Sequence, residues 1–370
     1  MKHIFVLSKE NLKIAKEEVL TLVNTTNYNL IKNILIIEIN NNNIIKKLTK
    51  RLAYTNSIYA LLFESNYDDF LNDMENFDWS LIYKDNFCIR TNIISPIIEI
   101  PIFKKTINNS TIKKNSIKTN ITLNNEIKKQ YSEKELAGYI WRKIKSPEVR
   151  LKDSKTHIEA FFAKNKIYCC LLLDKLSHEF TKRRSHLRPK PSPISLHPKL
   201  ARAMVNLTGA EENDVILDPF CGSGGILIEA GLIGMKTIGY DINKKMVWKS
   251  MVNLKHYNIK NCTFAVKDFF KINKKYKYIV SDLPYGLNTT IMENIRVTKQ
   301  NKKQLKKYLD EFYSKVANKL GRILVKRAVI IFPSYINYKR IIKSSKLKLK
   351  NEFESYVHSN LTRKIVVLEK

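Results

Sequence analysis

Hydrophobic and polar positions alternate along this chain with two different periods, and the places where the period changes divide it. Residues 1–70 read as strand, helix, strand, helix, strand. His3–Leu7 is short and apolar, Asn11–Val23 has helical spacing, and Asn33–Ile39 is rich in isoleucine; Ile44–Ala53 is helical again and Ser57–Phe63 returns to strand. That order predicts a small ferredoxin-like α+β domain. From 71 to 180 the rhythm loosens. Asn86–Ile93 reads as a strand, the Lys-, Asn-, Thr- and Ser-rich passage Ile107–Asn125 as loop, and Ser132–Ile144 as an amphipathic helix with a capping box from Ser132 to Glu135. The apolar runs HIEAFFA and KIYCCLLL around a KNK turn predict a hairpin.

Residues 181–197 are polar and basic, with prolines at 189, 191 and 193 and a fourth at 198. Repeated proline opposes regular structure, so this stretch reads as a linker. Beyond it, over 198–370, strand and helix patterns alternate regularly. Helix Lys199–Gly209 leads to strand Asp214–Phe220, helix Gly224–Gly234 and strand Lys236–Ile242. A helix with Val247, Met251 and Leu254 on one face follows, then strands Thr263–Phe269 and Tyr276–Ser281. The next helix carries Leu305, Leu309, Phe312, Val316 and Leu320, and three strand-like runs close the chain: Ile323–Phe332, Lys348–Val357 and Arg363–Lys370. This predicts an α/β, Rossmann-like domain: a mostly parallel, doubly wound sheet with an antiparallel C-terminal edge.

Composition adds a partner. The 370 residues hold 66 Lys and Arg against 34 Asp and Glu, a formal net charge of +32. Such a charge repels itself in a compact state and suits a polyanion, nucleic acid first; an AT-rich coding bias would also enrich Lys, Asn and Ile. Lys182, Arg183 and Arg184 in the linker are the candidate phosphate contacts. No apolar run approaches the ~20 residues needed to cross a bilayer. The start has no signal-peptide pattern, and the five cysteines form no CxxC pair. A cytoplasmic protein without metal is expected; no protein partner is indicated, and the chain is compatible with a monomer.

The chemistry concentrates at the ends of successive strands. Asp218-Pro219-Phe220-Cys221-Gly222-Ser223-Gly224-Gly225 lies where the first strand of the Rossmann-like region hands over to a helix. Gly222 and Gly224 let backbone approach a ligand closely. Asp241 ends the next strand, where an acid grips ribose hydroxyls, and Asp268 ends the third, within reach of an adenine amine. A dinucleotide enzyme is the rival, but G-x-G-x-x-G fails because Leu227 stands at the third glycine. An acid before the turn would repel a pyrophosphate and suits a cationic sulfonium, which favours S-adenosylmethionine. Phe220, Ile242 and Phe269, beside these acids, complete the candidate cofactor set.

The fourth strand runs into Ser281-Asp282-Leu283-Pro284-Tyr285-Gly286. An amine on a base is a poor nucleophile because its lone pair is delocalised into the ring. Two acceptors aimed at its hydrogens, the Asp282 carboxylate and a backbone carbonyl near Pro284, would localise that pair and orient it. Pro284 stiffens the loop, and Tyr285 offers a face to a base swung out of its stack.

The ordered set DPFCGSGG, GYDIN, KDFF and SDLPYG, flanked by HPKLARAMVNLTGA and HSNLTRKIVVLEK, resembles class I methyltransferases that modify base amines through a [DN]-P-P-[YF] loop. The passage from Ser132 to Leu173 resembles the end of a THUMP RNA-binding domain. Together they resemble the archaeal tRNA (guanine-10-N2)-methyltransferases. The resemblance implies a ferredoxin-like domain (1–70), a THUMP domain (71–180), a linker (181–197) and a methyltransferase domain (198–370). It implies that Asp218, Gly222 and Gly224 hold the methionine end of S-adenosylmethionine, Asp241 the ribose, Asp268 the adenine, and Asp282 and Tyr285 the guanine. Such enzymes grip the tRNA acceptor end and can add a second methyl to the same nitrogen. Leu283 departs from the pattern, standing where a first proline is usual. Guanine-N2 methylation elsewhere in tRNA or in rRNA, adenine-N6 methylation of DNA or RNA, and RNA binding without catalysis remain alternatives.

Overall fold

A computed structural model of the chain describes residues 1–41, 43–94, 131–193, 195–285, 302–358 and 361–370. The expected loop at Ile107–Asn125 lies outside them. The elements begin β1 (Lys2–Leu7), α1 (Leu12–Val23), β2 (Asn29–Ile31), β3 (Ile34–Glu38), α2 (Asn43–Arg51) and β4 (Thr55–Ser65). Then come α3 (Phe70–Asn76), β5 (Phe87–Ile93), α4 (Glu133–Trp141), β6 (Thr156–Phe162) and β7 (Ile167–Lys175). The second half runs α5 (Pro198–Leu207), β8 (Val215–Asp218), α6 (Gly225–Gly231), β9 (Lys236–Asp241), α7 (Lys244–His256), β10 (Cys262–Val266) and β11 (Tyr276–Asp282). It closes with α8 (Lys302–Ile323), β12 (Leu324–Pro333), α9 (Tyr338–Lys343), β13 (Lys348–His358) and β14 (Leu361–Glu369). None of the described helices is long and apolar enough to cross a membrane.

Contacts sort the chain into two compact units, residues 1–7, 27–42 and 55–176 in one and 8–26, 43–54 and 177–370 in the other. The first unit is built on a seven-stranded sheet in the order β2-β3-β1-β4-β7-β6-β5. Strands on both sides of residue 70 share it, because β4 pairs with β7 from Ser57↔Lys175 to Ser65↔Ile167. Phe70, Trp79, Phe87, Tyr131 and Phe162 form a largely aromatic core on it. The capping box forms as expected on one side: the Glu135 N–H donates to Ser132 Oγ at 3.1 Å.

The second unit is built on a sheet in the order β10-β9-β8-β11-β12-β14-β13. Strands β8 to β12 run parallel, and β14 and β13 form the predicted antiparallel edge. From β8 the chain moves outward to β9 and β10, then returns to place β11 on the other flank of β8. This reversal makes a topological switch point at the carboxyl ends of β8 and β11, the place where open α/β sheets bind ligands.

Helices α1 and α2 sort with this unit. Glu18 of α1 is fully buried; its carboxylate accepts from the Ala53 and Tyr54 N–H groups (2.8 and 3.0 Å) and from Asn206 Nδ2 of α5 (2.7 Å). Arg51 of α2 donates to Asn206 Oδ1 and to the Ala210 carbonyl.

Two expectations change. Met251 is 50% exposed while Ser250 and Asn253 are buried with Val247 and Leu254, because Asn253 serves the backbone: its Nδ2 donates to the carbonyls of Lys190 and Ser223. The proline-rich stretch is a packed strap rather than an open linker. It holds 3-10 turns at Phe180–Arg183 and Ser185–Leu187, buries Arg188 and Leu196, and is fastened by the Lys190 N–H on Asn253 Oδ1 and by Lys249 Nζ on the Pro191 carbonyl. In α8, Leu309, Val316 and Leu320 are buried and Phe312 is partly buried; the side chain of Leu305 is outside those described.

Candidate active site

Asp218 closes β8 at this switch point and is buried. Its carboxylate accepts from the Phe220 N–H (3.1 Å) and from Ser281 Oγ (2.7 Å), which ties the end of β8 to the end of β11. Burial pushes its pKa up to about 7, and the nearby charges of Asp241 and Asp282 push the same way. An acid cluster that resists ionisation is stabilised by a cation.

The turn after Asp218 is shaped by two glycines at positive φ. Gly224 (φ +86°) starts α6 against α7, and a Cβ there would collide with Ser250 and with Leu254 at 2.8 Å. Gly222 (φ +51°) differs, since a Cβ would meet nothing within 4 Å: its surroundings are open. Asp241 braces the turn, accepting from the Gly222 N–H at 3.0 Å and the Asn243 N–H at 2.9 Å. Burial raises its pKa as well. Asp268 follows β10 and caps a 3-10 turn by accepting from the Phe270 N–H at 2.9 Å.

The apolar members of the cofactor set separate. Ile242 is 66% exposed and available to a ligand. Phe220 is partly buried, with its ring 5.1 Å from that of Phe269. Phe269 is itself buried in the core, so its side chain supports Phe220 rather than facing a cofactor, a correction to the expected set. An open glycine turn, the Asp241 carboxylate that braces it and the buried acid Asp218 fit S-adenosylmethionine, whose sulfonium and ammonium are cationic. Asp241→Ala should weaken its binding by roughly tenfold to a hundredfold, the range for hydrogen bonds to charged groups, when measured by calorimetry. Unchanged affinity would remove Asp241 from the ribose role.

Asp282 ends β11, and burial pushes its pKa up to about 6, with the Arg363 guanidinium and the Tyr285 hydroxyl acting in the opposite sense. The departure at Leu283 has a packing reason: this side chain is buried in the core cluster that includes Leu309 and Tyr313 of α8. It anchors the loop where a proline would stiffen it. Tyr313 donates to the Pro284 carbonyl at 2.7 Å, leaving that oxygen a second lone pair. Tyr335 donates to the Tyr285 carbonyl. The Tyr285 hydroxyl donates to Asp282 Oδ1 and receives Arg363 Nε at 3.0 Å. Asp282, Pro284 and Tyr285 thus share one braced loop, and its braces Tyr313, Tyr335 and Arg363 were not expected from the sequence.

Of the linker cations, Arg183 is turned inward. Its guanidinium donates to Glu229 at 2.8 and 3.2 Å, and Glu229 is fully buried, so Arg183 is not a phosphate contact. Lys182 is exposed and pairs with Glu179, while Arg184 Nε lies 3.3 Å from His197 Nε2. Among the described residues no cluster of three or more His, Cys, Asp or Glu side chains could hold a metal.

Comparison with known proteins gives the same kind of chemistry. Residues 185–365 match the RMKL-like methyltransferase domain family. A DNA methylase family matches residues 2–251, a span that stops before the Asp282 loop. The tRNA (guanine(10)-N2)-dimethyltransferase of Methanothermobacter thermautotrophicus is 30% identical over 328 residues, 88% of this chain and 85% of the relative. Its Pyrococcus abyssi counterpart is 30% identical over 84% of this chain and 83% of its own length. That of Methanocaldococcus jannaschii is 28% identical over 99% of both. With the acids at the strand ends, the open turn and the braced Asp282 loop in place, the chain belongs to the tRNA (guanine(10)-N2)-dimethyltransferase family.

Proposed function

We propose that this protein methylates the exocyclic amine of a guanine in tRNA, at position 10, forming N2-methylguanosine and then N2,N2-dimethylguanosine. The observation that carries this reading is the Asp282–Pro284 loop at the strand reversal, beside the buried acid Asp218. When bound, S-adenosylmethionine supplies an electrophilic methyl group held by Asp218, the Gly222 turn, Asp241 and Asp268. The Asp282 carboxylate and the free lone pair of the Pro284 carbonyl accept the two amine hydrogens, which turns the nitrogen lone pair toward the methyl. After the first transfer one N–H remains, and Asp282 can hold it in the same way for a second. The proton shed by the nitrogen passes to Asp282 or water.

The tRNA is recognised apart from the chemistry. The THUMP-like segment within 71–180, together with the N-terminal strands, grips the acceptor end, and the net charge of +32 supplies long-range attraction. Lys182 and Arg184 add phosphate contacts, and the enzyme works in the cytoplasm.

The test is transfer of labelled methyl from S-adenosylmethionine to unmodified tRNA transcripts, with nucleoside analysis and site mapping. N2-methylated guanosine at position 10 is the expected product. The same nucleoside elsewhere would keep the chemistry and move the target, whereas N6-methyladenosine would overturn the guanine assignment.

A further inference from the structure

Strand β14 brings an arginine to the methyl-transfer loop. It runs antiparallel to β12, with Ile331↔Ile365 and Pro333↔Arg363 in register, while Asp282 of β11 is level with Ile331. Arg363 therefore starts its strand at the end of the sheet where Asp282 finishes. Its Nε donates to the Tyr285 hydroxyl at 3.0 Å, and that hydroxyl donates to Asp282 Oδ1. Among the described residues, no carboxylate forms an ion pair with Arg363. The acid it serves is Asp282, through Tyr285.

We propose that Arg363 is a positioning residue of the methyl-transfer site, which fixes the Tyr285 hydroxyl and holds Asp282 in the ionised form that an amine donor requires. This rests on the reading of Asp282 as the acceptor for the base amine. A protonated carboxyl would offer a hydrogen to an amine that has only hydrogens to give, and the pair would repel. Several groups act on Asp282. From β8, Asp218 lies beyond the Ser281 bridge and opposes a second negative charge. From α8 and its own loop, Tyr313 and Tyr285 face it with hydroxyls whose pKa burial raises, so both stay neutral. Arg363, from β14, is the cation that favours the carboxylate. With Asp282 raised to about 6 even beside Arg363, removing the guanidinium moves its titration toward neutrality.

The test is the pH dependence of kcat for full-length wild type, Arg363→Ala and Arg363→Lys, on whichever RNA the wild type methylates. Wild type should lose rate as pH falls through about 6, since protonation removes the acceptor. In Arg363→Ala the acid limb should move to higher pH, with kcat about tenfold down at pH 7 and largely recovered at pH 9. KM for both substrates should change little. Arg363→Lys should keep the acid limb near its wild-type position, because the charge remains while the Nε geometry is lost. An unmoved acid limb in Arg363→Ala would overturn the proposal. As a second check, adding Arg363→Ala to Tyr285→Phe should cost less than adding it to wild type, and full additivity would count against the relay. Because the comparison uses the actual product, a wrong base assignment shows in the nucleoside analysis and leaves this test intact.

Discussion

Asp282→Ala is expected to cut methyl transfer by ~100-fold or more while S-adenosylmethionine and tRNA still bind, the loss typical of removing one oriented electrostatic partner from a transition state. In the proposed mechanism the carboxylate is one of two acceptors for the amine hydrogens. Its removal leaves the Pro284 carbonyl as a single anchor, and the lone pair is no longer aimed. The cofactor turn should be indifferent, because Gly222 is braced by Asp241 and Phe220 by Asp218. Stability separates this reading from mere misfolding. The folded-state pKa of Asp282 is raised above its usual value, so the ionised carboxylate opposes folding as pH climbs from the ordinary carboxylate range through about 6. The alanine variant should therefore melt at the same temperature as wild type or higher at pH 8. Rate measured by methyl incorporation, affinity by calorimetry and melting by dichroism together decide the matter. A slow variant that also melts early would point to damage rather than chemistry, and full activity would sink the mechanism.

What the sequence made legible follows from geometry that repeats. In a parallel α/β domain each strand ends at the same edge, so acids closing consecutive strand patterns must cluster, and Asp218, Asp241, Asp268 and Asp282 could be placed by counting strands. The braces of the Asp282 loop could not be found that way. Tyr313, Tyr335 and Arg363 reach it from a helix, a turn and an antiparallel strand 28 or more residues beyond Tyr285, and each sits in a segment whose own pattern is ordinary. The burial of Leu283 likewise depends on α8 covering the loop from below. In the first unit the strand patterns were readable, but the β4–β7 pairing across residue 70 is a long-range choice with no local signal. Glu229 interrupts the apolar run GGILIEAGLIG, and a carboxylate in a helix that is otherwise buried points to hydrogen-bonding or cationic partners inside the fold.

Glu229→Ala is the stability counterpart, with an expected loss of about 3–5 kcal/mol, the cost of removing one partner from a buried ion pair. Glu229 accepts from Arg183 and, at 2.8 Å, from Arg202 of α5, whose side chain is only 4% exposed. Both guanidinium groups also lie over the Phe180 ring, at 5.0 and 5.8 Å from its centre. Without Glu229, Arg202 is left charged and buried with no escape, whereas Arg183, 16% exposed, can turn toward water. Arg183→Ala should accordingly cost less, about 1–3 kcal/mol, since Glu229 keeps Arg202. Urea denaturation of the two variants measures the ordering, and equal losses would contradict the asymmetry. The consequence reaches the active site because Glu229 sits in the helix that begins at Gly224 and Gly225, at the end of the cofactor turn. A ligand that binds only the folded turn stabilises it by mass action, so saturating S-adenosylmethionine should recover roughly 3 kcal/mol of the Glu229→Ala loss at a hundredfold excess over its Kd. Failure of the cofactor to restore the melting temperature would mean that α6 and the turn have come apart. The buried ion pair would then be a condition for cofactor binding rather than a support beneath it.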